Sequence, residues 1–244
     1  MKLKKSYLLI TAALLLALFN MVIPIMSTEL SRSVTSSWSL MTLVIVVLII
    51  AAFLVEFEEK QISAKQISLI AMLGTISAAA RVPFAAIPNV QPCTYLIICS
   101  GIVFGPTAGF MVGAVTAAVS NIFLGQGPWT LFQILGWGLA GLTSGLLFNT
   151  SSKGGTLLKS KVFLAAYGVL WGYLFGWILN TWHWLTYIYP LTWKTFLFTQ
   201  ATSFGFDTMH ALGNVVFLLV LGPKTITMLD RYKKRFEVHI IDEP

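Results

Sequence analysis

Residues 82–152 form a stretch of 71 positions without one Asp, Glu, Lys or Arg. About 18 uncharged apolar residues already suffice for a transmembrane helix, so this stretch has room for several. A soluble domain carries roughly 25% charged residues, because water must solvate its surface. Here only 10% of 244 residues are charged and 57% are hydrophobic, with a mean hydropathy of +0.81. The chain reads as an integral membrane protein, and soluble enzymes and nucleic-acid binders are set aside. Its net charge of +7 is then an orientation signal rather than a phosphate-binding one.

Lys2, Lys4 and Lys5 precede a first uncharged run at 6–28. The run is too long for a signal-peptide core and lacks an Ala-x-Ala-like site after it, so it is expected to be a retained helix. A second run at 33–55 completes a hairpin, which Glu56-Phe57-Glu58-Glu59-Lys60 separates from the rest. Next, the pattern predicts a helix over 66–80, ended by Arg81 and Pro83, because proline disfavours helix in the residue before it. Residues 82–92, with prolines at 83, 88 and 92, read as a loop. Gly105-Pro106 and Gly125-Gln126-Gly127-Pro128 punctuate the long uncharged run, giving helices at 94–104, 107–124 and 129–148, the first of them short. Two more at 162–181 and 195–221 bring the expectation to eight transmembrane helices.

Basic residues favour that even count. With both termini in the cytoplasm of a multi-pass cell-membrane protein, thirteen of the sixteen fall on the inner side, leaving Arg32, Arg81 and Lys194 outside. Three regions follow: an N-terminal transmembrane hairpin at 1–60, a six-helix core at 61–224 and a basic cytoplasmic tail at 225–244. The outer loop expected at 182–193, WHWLTYIYPLTW, is dense in rings that favour the headgroup layer. So many rings could also close over a flat ligand.

Gly168, Gly172 and Gly176 recur every fourth residue, as do Gly141 and Gly145, placing small faces where helices can approach closely. Ala71, Gly74, Thr75 and Ala78 make a similar face, directed either into the bundle or at another subunit. Cys93 and Cys99 are too few for a metal site, and no HExxH, paired CxxC or Walker-type phosphate loop occurs. ATP, if it drives this protein, must be handled by another polypeptide.

An acid deep in a bilayer costs several kcal/mol unless it is paired or reaches water. Asp207 is the one acid inside an expected helix, with His210 and Asn214 continuing its face. Other polar groups gather at the outer helix ends: Arg81, Asn89 and Gln91 in the first loop, Gln126, Trp129 and Gln133 at the second, Asn180, His183 and Trp184 at the third. Asn121 lies near the end of its helix as well. Aromatic and apolar walls with a few fixed polar groups describe a pocket for an organic ligand.

These residues resemble a family. From Lys65 to Lys224 the chain is similar to the substrate-binding S component of energy-coupling factor (ECF) vitamin transporters, through SLIAMLGTISAAAR, VPFAAIPNVQP, GIVFGPTAGFMVGAVTAAVSN and FLGQGPWTLFQILGWGLAGL. The order of these pieces carries the match across roughly two-thirds of the chain. The resemblance implies an all-α membrane fold with a six-helix core, non-enzymatic by itself, that binds a vitamin near the outer face. It also implies a membrane T component and two cytoplasmic ATPases as partners, and inward delivery by toppling in the bilayer. No intrinsic cofactor or metal is implied; the vitamin is cargo.

Family docking uses an Ala-x-x-x-Ala pair on the first core helix. Here Ala71 and Thr75 offer one register, Gly74 and Ala78 another. The cobalamin-specific type is the nearest suggested likeness, because long amide- and ring-bearing loops suit a corrinoid. Riboflavin, queuosine precursors and other flat heterocycles suit the same surfaces. The leading hairpin departs from the six-helix pattern.

Two other classes compete. A proton-coupled secondary transporter would use Asp207 and His210 as a relay, although no inverted repeat with broken helices is apparent. An intramembrane enzyme would use the same two residues as an acid–base couple.

Overall fold

A computed structural model describes residues 5–26, part of 44–55, 64–148 and 161–236. The hairpin's second helix lies mostly outside the described residues, as do the charged break at 56–60, the lysine-bearing segment at 149–160 and residues 237–244. The described residues are helical and contain no strand. They form α1 (Lys5–Met26), α2 (Ala64–Phe84), α3 (Cys93–Phe104), α4 (Pro106–Leu124), α5 (Trp129–Phe148), α6 (Lys161–Tyr187), α7 (Trp193–Thr202), α8 (Phe204–Val220) and α9 (Gly222–Phe236).

The architecture is the all-helical membrane fold expected, with a six-segment core and a leading helix packed on it. Four helices, α2, α4, α5 and α6, are each long and apolar enough to cross a bilayer, and α7 with α8 forms a fifth, broken span bent by 51°. The sixth segment, α3, has 12 residues, about 18 Å at 1.5 Å per residue. That is too short to cross a hydrocarbon core of about 30 Å. Nine of its twelve residues are nevertheless buried, because α4, α5 and α9 pack around it. On α1, Ser6, Ile10, Ala13 and Ala17 form one buried stripe at helical spacing, and Ala13 and Ala17 line a small gap with Phe110 of α4 and Leu131, Ile134 and Leu135 of α5.

Glycine sets how tightly the centre closes. Gly105 has φ 93°, a backbone that only glycine adopts without strain, and it is the corner between α3 and α4. A Cβ added to Gly141 would fall 2.2 Å from the carbonyl oxygen of Gly109, and one on Gly101 would fall 2.0 Å from that of Gly141. The backbones of α3, α4 and α5 are therefore in direct contact, as small residues permit between membrane helices. The Gly168–Gly172–Gly176 row is likewise consumed inside the bundle, against α8: a Cβ on Gly172 would sit 2.4 Å from Ala211 Cα.

Four expected boundaries move. Helix α2 continues through Pro83 to Phe84, because a proline in the last turn removes only one hydrogen bond and the buried Arg81 side chain is anchored below it. Helix α6 runs to Tyr187 rather than 181, so half of the expected aromatic loop is helical. The last core helix breaks at Ser203 into α7 and α8. There Thr199 and Thr202 hydrogen-bond back to their own helix carbonyls and Gly205 follows, a local chemistry that bends helices. The stretch expected as a tail from 225 begins as helix α9, which buries Leu229 and donates Lys233 Nζ to the Val103 carbonyl in the last turn of α3 at 2.9 Å.

Gly141→Val is expected to lower stability by about 1–3 kcal/mol through overpacking, whereas Gly205→Ala, with nothing within 4 Å of its Cβ position, should be neutral or slightly stabilising. Thermal unfolding of the two purified variants in detergent measures the contrast; equal melting temperatures would contradict the glycine contact.

Candidate functional site

Helices α2 and α6 end, and α5 begins, at the same end of the bundle, and there a cavity of about 600 Å³ opens. Its polar lining is Arg81 from α2, Asn89 and Gln91 from the following loop, Gln133 from α5, Asn180 and His183 from α6, and Thr199, Thr202, Ser203 and Asp207 around the α7–α8 break. Aromatic walls come from Trp129, Trp137, Phe175, Trp182, Phe198 and Phe206.

Two polar clamps hold this lining. In the first, the Arg81 guanidinium donates through Nη1 to Ser120 Oγ at 2.7 Å and Asn121 Oδ1 at 2.8 Å, and through Nε to Gln91 Oε1 at 3.2 Å. Its carbon lies 4.8 Å from the Trp137 ring centroid, within reach of a cation–π attraction. Asn121 in turn donates to Thr130 Oγ1 and Gln133 Oε1, both at 2.7 Å. In the second, Asn180 Nδ2 donates to Asp207 Oδ2 at 3.0 Å and to Gln200 Oε1 at 3.1 Å, while Ser203 Oγ donates to Asn180 Oδ1 at 3.0 Å. Asp207 fits because its neighbour on α6 is Gly176, where a Cβ would collide with the carboxylate at 2.2 Å.

Beneath the cavity runs a one-way chain of hydrogen bonds. Trp137 Nε1 donates to Thr94 Oγ1 at 3.0 Å, Thr94 meets His210 Nε2 at 2.9 Å, and His210 Nδ1 meets Asn89 Oδ1 at 3.3 Å. Asn89 Nδ2 then donates to the Phe206 carbonyl at 2.9 Å. A neutral imidazole with its proton on Nδ1 satisfies every partner in this chain. Asn89 has φ 54°, a conformation asparagine tolerates better than most residues. The loop is thereby pinned to α8.

The sequence-derived residues divide accordingly. Arg81, Asn89, Gln91, Trp129, Gln133, Asn180, His183 and Asp207 lie together on the cavity lining. His210 is wholly buried behind it, in the chain just described. Asn214 donates to the Gly168 carbonyl at 3.2 Å and joins α8 to α6. Trp184 is fully buried, with Nε1 on Thr195 Oγ1 at 3.0 Å, and braces α6 against α7. Gln126 is exposed and folds back onto the Ala118 carbonyl. Asp207 and His210 share a helix face, but no hydrogen bond joins them among the described residues.

Trp137, Phe175, Thr199, Ser203 and Phe206 were not read from the sequence. Trp137 follows Gln133 by one turn and so shares its face, a signal that was present. Phe175 and Phe206 sit in apolar runs where nothing distinguishes a wall from a core residue.

The fold is thus a polytopic helical bundle with one end hollowed into an aromatic cup, about 600 Å³ in volume, lined by amides and by the ionisable Arg81 and Asp207. Residues 56–229 match the model of the family described as ECF-type riboflavin transporter, S component, and the chain belongs to that family. It is also 29% identical over 186 residues to a UPF0397 protein of Aliivibrio salmonicida, covering 71% of this chain and 94% of that protein. A UPF0397 protein of Vibrio vulnificus is 31% identical over 173 residues, covering 66% and 88% respectively. No solved structure matches the chain.

Thr94→Val keeps the shape of the site but leaves Trp137 Nε1 and His210 Nε2 without partners, each loss costing about 1–3 kcal/mol. Thr94→Ser should recover most of the difference. Melting temperatures of the three proteins test it, and an unperturbed valine variant would show that the chain is not a stabilising one.

Proposed function

We propose that this protein is the substrate-capture subunit of an ECF-type importer, seating a compact, partly planar vitamin or related micronutrient in the cavity walled by Trp129, Trp137, Phe175 and Trp182. The observation that carries the reading is the cavity itself, in a chain whose family is that of a vitamin-transporter S component. Stacking rings and fixed amides recognise a flat heterocycle by its faces and its edges. A volume of about 600 Å³ lies within the range usual for small-molecule sites and favours a ligand of flavin size over a corrinoid, which has several times as many atoms. Cobalamin is therefore the less favoured cargo.

The cavity faces outward in this reading and both termini lie in the cytoplasm, following the distribution of lysine and arginine. Delivery inward then requires a membrane T component and two ATPases. The exposed face of α2 is the docking surface for the first of these. Ala71, Thr75 and Ala79 recur every fourth residue on that face, beside exposed Met72 and Ile76. Gly74 packs on α4 and Ala78 is buried, which favours the Ala71–Thr75 register.

Two outcomes are expected. Full-length protein purified in mild detergent, without ATPases, should retain a vitamin-like molecule detectable by mass spectrometry or bind one at micromolar levels; protein that neither retains nor binds any is incompatible with capture. Ala71→Leu with Thr75→Leu should preserve that binding yet abolish co-purification with a co-expressed T component and stop uptake into cells. Intact uptake by the double variant would move the docking face elsewhere.

A further inference from the structure

Arg81 is only 8% exposed. A guanidinium at such a place in a membrane protein normally meets a carboxylate, because an isolated charge is poorly tolerated in a medium of low dielectric. Among the described residues no ion pair reaches it. Its three hydrogen bonds go to the neutral oxygens of Gln91, Ser120 and Asn121, and they use Nε and Nη1. The second terminal nitrogen, Nη2, has no hydrogen-bond partner among the described residues, and Arg81 lines the cavity.

Asp207, 2% exposed and lining the same cavity, presents the complementary case. Only the neutral groups of Asn180 and Ser203 reach its oxygens, and no cation pairs with it among the described residues. The two charges are held by separate clamps and do not meet. Trp182, on the same lining, has its Nε1–H buried without an acceptor.

We infer that the captured molecule is an anion: it carries a carboxylate or phosphate that binds Arg81 through the unused Nη2 edge, while hydrogen-bond donors elsewhere on it face Asp207. The inference rests on the capture reading above and narrows it to acidic cargo. Neutral clamps are what such a site needs, since they fix the guanidinium without neutralising it. The unpaired charge is then available to the ligand, in surroundings where a charge-assisted hydrogen bond is stronger than in water.

The test uses the full chain in mild detergent. Small molecules released on denaturation are identified by mass spectrometry, and tryptophan fluorescence measures binding of matched pairs: FMN and riboflavin for phosphate, pterin-6-carboxylate and pterin, and nicotinate and nicotinamide for carboxylate. The retained molecule should be acidic at neutral pH. In any pair that binds, the anionic member should bind more tightly by about 10- to 100-fold. Arg81→Gln should erase that preference, and Arg81→Lys should keep part of it.

A neutral retained molecule, recovery of phospholipid alone, or equal affinity within a binding pair overturns the inference while leaving capture standing. So does an Arg81→Gln protein with a lower melting temperature but an unchanged preference, because that is the behaviour of a purely structural arginine. No retained molecule and no binding by any pair removes the capture reading, and this inference with it. If Arg81→Gln is not monodisperse, the matched pairs on the native protein decide alone.

Discussion

Water is absent from the interior of a bilayer, so each polar side chain placed there must be satisfied by another part of the protein. That constraint explains why many of the buried polar groups among the described residues are found as connected sets. Arg81, Asn121 and Gln133 bridge α2, α4 and α5. Trp137, Thr94 and His210 bridge α5, α3 and α8, and Asn180 with Asp207 bridges α6 and α8. The same bonds that satisfy these groups fix the relative positions of the core helices, so the cavity lining and the bundle are specified together.

Close approach of helices is the second half of this arrangement. Between α3, α4 and α5 the backbones touch through Gly101, Gly109 and Gly141, which leaves that side of the bundle solid and stiff. The opposite wall is built differently. Helix α7 has only Thr199 and Gln200 buried and joins α8 through the bend at Ser203. A rigid side carrying Arg81, Gln133 and Trp137 thus faces a more lightly packed one carrying Phe198, Thr199 and Thr202.

Much of this was legible in the sequence where the chain carries explicit punctuation. Gly-Pro pairs fix the starts of α4 and α5 to within a residue, and the end of α5 at Phe148 follows from the hydrophobic run. The uncharged stretch forced a membrane fold, and polar residues at common helix ends pointed to a shared cavity. What failed lacked local punctuation. Nothing in a run of aromatic residues says whether it is helix or loop, and α6 continues to Tyr187 because Trp184 and Leu185 find buried places. The break at Ser203 depends on hydroxyls turning back to the backbone, which sequence does not distinguish from hydroxyls facing a neighbour. His210 and Trp184 have the chemistry of ligand-binding groups but lie just behind the cavity; His183 lines it and Trp184, one residue or about 100° further round the same helix, does not, and only packing decides it.

Helix α2 joins these themes in a single rigid element. Its last turns place Arg81 in the cavity, Gly74 seats it on α4 while Ala78 is buried, and Ala71, Thr75 and Ala79 face outward. From Thr75 to Arg81 is six residues, about 9 Å along the axis, so the surface proposed to meet the transport partner and the charge proposed to meet the cargo are less than two turns apart on one helix. Coupling between two sites requires that an event at one alter the free energy at the other. If cargo engages the guanidinium as proposed, it does so at the end of the helix whose flank is proposed to meet the partner, and the hydrogen bonds to Ser120 and Asn121 tie that end to α4.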